Sequence, residues 1–93
     1  MVAPIAYGAI GDAYMELEKP DEALKFYEKA VTKSENNFTT PIYLMKVGFV
    51  YEQNQDYEKA LEAYQTIKND FPESAEGRQI DKYIARVETL INK

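Results

Sequence analysis

Tyr14, Ala23 and Tyr27 recur as Tyr51, Ala60 and Tyr64, each 37 residues further on. Pro4 returns as Pro41, Tyr7 and Ile10 as the apolar Leu44 and Val47, and Gly11 as Gly48, all at that same offset. A chain that repeats a segment of this length cannot bury the apolar face of one segment alone, so the copies must stack. The repeat therefore constrains the fold more tightly than any other feature. At 93 residues the chain has room for two copies and one further element in a single domain, residues 1–93.

The spacing of apolar residues predicts helices throughout and no strand. The first helix opens at Pro4, where a missing N–H costs nothing, and carries Ile5, Ala6, Tyr7, Ala9, Ile10, Ala13, Tyr14 and Leu17. Pro20 stops it near Glu18 and opens a second helix, whose first-turn acids Asp21 and Glu22 suit the positive end of the helix dipole. Asp21 lies four residues before Lys25, a spacing that permits an ion pair. Lys33 to Thr39 reads as a polar loop in which Asn36 and Asn37 suit left-handed angles. Thr40 is the expected cap of a third helix that ends at Asn54. Asp56 caps a fourth helix running to about Asn69, and Ser74 caps a fifth carrying Ile80, Tyr83, Ile84, Val87 and Ile91.

The order of large, apolar, Gly and Tyr, then Ala, Tyr and small, resembles the tetratricopeptide repeat, whose period is about 34 residues. Repeat one spans 4–35, repeat two 41–72 and a C-terminal capping helix 74–92. Repeat two is the fuller match, closing on Pro72, with Ile67 where a small residue is usual. Repeat one keeps Ala30 there but has Glu35 in place of the closing proline, and the three extra residues fall near Asn36. The resemblance implies an all-α, tetratricopeptide-like α-solenoid of two antiparallel helix pairs and a fifth, capping helix. Gly11 and Gly48 each cost about 1 kcal/mol against Ala in mid-helix, so they mark close approach. Ala23 and Ala60 are the small residues expected to meet them, with the tyrosines filling the wider ends. Ile84 falls near the glycine position of the fifth helix.

The fifth helix reads as a cap, with Arg78, Asp81, Lys82, Arg86, Glu88 and Lys93 on a charged outer surface. The first helix is different. Family positions that pack on a preceding repeat are held by Ala6 and Ala13, with Leu17 below them. That face is expected either to meet upstream repeats or to make the chain a homo-oligomer.

With no histidine and no cysteine, the commonest metal ligands, the neutral-pH proton shuttle and the thiol nucleophile are all missing. No phosphate loop or calcium loop is present, so no cofactor and no metal is expected. The acids sit at helix starts or on polar faces, where solvation and capping explain them. A small carboxylate-dependent hydrolase, needing two acids of raised pKa in one pocket, is the alternative of another class. A net charge of −5 without a basic stripe argues against nucleic acid. No apolar run is long enough to cross a bilayer, and Met1-Val2-Ala3 is too short to be an address.

Binding is what the resemblance implies instead, on a groove lined by first helices. Its groove positions are Ile5, Gly8, Asp12, Met15 and Glu16 in repeat one, and Ile42, Met45, Phe49, Glu52 and Gln53 in repeat two. Of these Ile5, Asp12, Met15, Met45, Phe49 and Glu52 form the expected partner-binding site, a mixed apolar and acidic strip. A protein or peptide with apolar anchors and some Lys or Arg would suit it. Packing of the two methionines and Phe49 against the fifth helix is the competing use. Relatives that clamp a carboxylate terminus place Lys and Asn where this chain has Gly8 and Asp12, which sets that ligand aside. The junction Asp70 to Ala75 is similar to repeat ends of bacterial cell-envelope members of the family. It implies part of a larger bacterial scaffold or assembly protein, in cytoplasm or periplasm, with anchoring through an upstream segment as the alternative.

Overall fold

Proline in the first turn opens three of the helices in the computed structural model, which describes residues 3–34 and 36–93. They are α1 (Pro4–Glu16), α2 (Pro20–Lys33), α3 (Thr40–Gln53), α4 (Tyr57–Asp70) and α5 (Ala75–Ile91). Side chains start the other two: Asp56 accepts from the Lys59 N–H at 3.4 Å and Ser74 from the Gly77 N–H at 2.9 Å. Among the described residues there is no strand, and the chain is an all-α helical solenoid. Met1, Val2 and Glu35, and with them the N-terminal address and the missing closing proline of repeat one, lie outside the described residues.

The repetition reaches the backbone. Glu18 (φ 58°) and Gln55 (φ 61°) are left-handed at matching places in the two hairpin turns. Lys19 donates to the Tyr14 carbonyl at 2.9 Å and Asp56 to that of Tyr51 at 2.8 Å, closing each helix with the wrap expected of a left-handed cap. α1 therefore ends at Glu16 rather than Glu18, because Leu17 is already the cap.

Local expectations differ at three points. Lys25 pairs with Glu22 at 3.5 Å rather than with Asp21, whose carboxylate instead accepts from Asn54, the C-cap of α3, at 3.3 Å. The α2–α3 loop is shaped by the Asn36 side chain, which accepts from the Phe38 N–H (2.9 Å) and the Thr39 N–H (2.7 Å). That amide replaces the missing helical acceptors, and Asn37 does not take a left-handed angle. Thr40 does not cap α3 but is its first residue, and its hydroxyl donates to the Ser34 carbonyl at 3.2 Å.

Each helix packs on the next in chain order, and α3 also touches α5. The result is a slab of 41 × 30 × 16 Å, whose thin dimension matches two layers of helices about 10 Å apart. One core cluster joins Ala23 and Tyr27 to Val47, Val50 and Ala63; the other joins Leu44, Ala60, Tyr64 and Ile67 to Ile80, Ile84 and Val87. Ile80, Ile84 and Val87 stand at the register of the buried Tyr43, Val47 and Val50, so Ile84 corresponds to Val47 and not to the glycine.

The close approaches are not glycine to alanine. A methyl group on Gly11 would lie 2.6 Å from Cδ1 of Tyr27, and one on Gly48 would lie 2.8 Å from Cζ of Tyr64. Each glycine makes a hollow for the flat ring of the tyrosine two turns into the following helix. Ala23 and Ala60 are fully buried beside those rings in the core clusters. Tyr14 stays out of the hollow and stacks on Phe26 at 5.5 Å.

Candidate interaction face

The tyrosines that fill the glycine hollows carry hydroxyl groups that burial would leave unpaired, and each finds an acid on the first helix of its own hairpin. Tyr27 donates to Asp12, and Tyr64 donates to Glu52 at 2.6 Å. Each acid is then held by a cation from the next hairpin along. Lys46 reaches Asp12 at 3.0 Å and Arg86 reaches Glu52 at 2.7 Å. These two ties run along the face shared by α1, α3 and α5. Among the described residues no buried side-chain nitrogen or oxygen lacks a hydrogen-bond partner.

The ties leave their mark on acidity. Burial acts to raise Asp12, but the hydrogen bonds from Tyr27 and Lys46 and the Lys46 charge outweigh it, leaving the carboxyl below its ordinary 3.8. Burial first, then the bond to Asp12 and its charge, push the Tyr27 phenol up. Burial, then Glu52, do the same to Tyr64, with Arg86 pulling the other way. A depressed carboxyl contributes stability that is complete above its unfolded value and is lost as pH falls through its folded value. The Asp12→Asn variant is thus expected to unfold at lower temperature than wild type above about pH 5, with the gap closing below about pH 4. Melting curves across that range check it; a gap independent of pH would remove the tie from the acid limb.

Of the residues expected to form the groove, Asp12 and Glu52 are therefore not free acids. Met15 packs on the first core cluster and Met45 on the second. Ile5, 74% exposed, stands at the start of α1. Phe49 is 40% exposed although its ring lies 5.8 Å from Tyr83 of α5 and 6.4 Å from Tyr64. Tyr83 in turn is covered by Lys82 (5.2 Å) and Arg86 (5.0 Å). Phe49, Tyr83, Lys82 and Arg86 thus form one aromatic and cationic platform, with Met45 and Glu52 on the same helix as Phe49. The sequence placed Lys82 and Arg86 on an outer surface of the cap. Both stay exposed there while lying over the Tyr83 ring, and Arg86 also reaches Glu52. The missed signal was spacing: Asp12 to Lys46 and Glu52 to Arg86 are both acid to cation at 34 residues.

Ala6 is half-buried, while Ala13 is exposed and Leu17 is 64% exposed, so this stripe of α1 has little cover from the described residues. Among those residues no helix is long and apolar enough to cross a membrane.

The tetratricopeptide repeat family is matched twice, over residues 4–37 and 43–74. Tetratricopeptide repeat protein 21B of Mus musculus is 31% identical over 65 residues, which is 70% of this chain and 5% of that protein. The uncharacterized protein ycf37 of Guillardia theta is 37% identical over 65 residues, covering 69% of this chain and 35% of its own length. The chain thus corresponds to a small part of the first relative and about a third of the second. No solved structure matches it.

Proposed function

This chain belongs to the tetratricopeptide repeat family, a non-catalytic protein-interaction fold, and from that premise we propose that it binds a protein or peptide on the α1–α3–α5 face without catalysing a reaction. The observation that carries this reading is Phe49, a large apolar ring left partly open in a strip whose acids Asp12 and Glu52 are already paired. A partner offering an aromatic or branched apolar side chain would cover Phe49 and pack on Met45 and Tyr83. Because Lys46 and Arg86 already hold the carboxylates, added Lys or Arg on the partner contributes less than its apolar anchor. The bacterial assembly setting belongs to the same reading and rests on the Asp70 to Ala75 junction alone.

Peptides selected from a random display library against the whole chain test the face. Phe49→Ala is expected to weaken the selected peptides at least about tenfold, as loss of a central anchor does. Met45→Glu should weaken them as well. Equal affinity of both variants would move the binding site elsewhere.

A second reading is favoured by Leu17, whose exposure leaves an apolar stripe with Ala6 and Ala13 on α1. Covered by another copy, that stripe would serve self-association. Loss of an oligomer in Leu17→Glu would support it, and an unchanged mass would end it.

A further inference from the structure

The α2–α3 loop, the α4–α5 turn and the first turn of α5 line an open cleft of about 430 Å³. Phe71, Pro72 and Ala75 give its lining apolar surface, and Asn37 and Phe38 of the α2–α3 loop line it too. Phe38 is 79% exposed, more than any other large apolar side chain among the described residues. It is not there through slackness of the loop. The Asn36 side chain holds the Phe38 and Thr39 amides, and the Ser34, Thr39 and Thr40 hydroxyls join one another beneath them at 2.5–3.0 Å.

We propose that this cleft receives Phe38 of a second copy of the same chain, the two copies exchanging rings about a two-fold axis. Knob and hollow share one patch, which is the condition for a closed, isologous pair rather than an open chain of subunits. A phenyl ring fits a hollow of that volume with space to spare. The charges agree. Asp70, Glu73 and Arg78 all line the cleft, and none of the three is in an ion pair among the described residues. A two-fold rotation brings each copy's Arg78 toward the other's acids. Nine lining residues are fewer than a standard interface uses, so the pair is weak, with a dissociation constant of roughly 10–100 µM.

Sedimentation equilibrium of the full chain, from about 5 µM to about 1 mM, should show a monomer–dimer equilibrium. Phe38→Ala is expected to weaken it at least about tenfold with no change in melting temperature, since the ring is exposed in the monomer. Arg78→Glu and the double variant Asp70→Lys/Glu73→Lys should each be monomeric alone and form a heterodimer when mixed. A monomer at every concentration overturns the proposal. So does a dimer indifferent to Phe38→Ala, or one abolished by Leu17→Glu, which would place the contact on α1.

Discussion

Replacing Gly48 with leucine is expected to destabilise the fold by about 3 kcal/mol, the upper range for overpacking a closed interior. For a domain of this size that lowers the melting temperature by more than about 10 °C. The cause is Tyr64. Its ring is fully buried against Gly48 and its hydroxyl is fixed on Glu52, so it can neither swing out nor slide along the helix. The gain in helix propensity, about 1 kcal/mol when Gly gives way to a better helix former, offsets only part of the strain. The decisive measurement is a cycle with Gly48→Ala and Tyr64→Leu. If the glycine exists to admit the ring, the double variant loses less than the two single losses combined. Strict additivity would mean that Gly48 and Tyr64 do not depend on each other.

Gly77→Ala is expected to cost roughly 2 kcal/mol by a different route. A methyl group there would meet backbone, lying 2.9 Å from the carbonyl carbon and Cα of Pro72 and closer still to the Phe71 oxygen. No side-chain rotation relieves that contact. The Phe71 carbonyl is also the acceptor for the Ser74 hydroxyl at 2.7 Å, while Ser74 accepts from Gly77, so pushing the turn away also breaks the cap of α5. The loss should be local. Stability in a stacked array is passed between neighbours, and a weakened terminal helix frays before the rest. Hydrogen exchange should therefore quicken at Ile80, Ile84 and Val87 while α2 is little affected. An alanine variant with unchanged exchange in α5 would show that the turn can relax.

The architecture was open to reading because it depends on which positions recur. Period, helix number and the proline and serine starts are all one-dimensional facts. Which small residue faces which large one is not. Ala23 and Ala60 are the partners of Gly11 and Gly48 if close approach joins small to small, whereas a bare backbone patch accepts a flat ring equally well. Among the recurring tyrosines, Tyr27 and Tyr64 could not be told from Tyr14 and Tyr51 without the third dimension. On the interaction face Phe49 was legible as an apolar residue at a groove position. Tyr83 and Arg86 were not, because the groups they meet, Phe49 and Glu52, belong to another helix, α3. Phe38 had a signal that went unused: one large apolar residue inside an otherwise polar loop.

The two cross-links between hairpins have a further bearing on how such a chain could grow. Measured from the tyrosine each one serves, the second sits one helical turn further along than the first, with Glu52 at the place of Met15 and Arg86 at that of Phe49. An array made by copying the first unit would oppose Asp12 to Ala9, and one made from the second would oppose Glu52 to Phe49. Neither module tiles with itself. Neighbour identity is written into the joints, so succession along the solenoid is heritable information and not merely repetition.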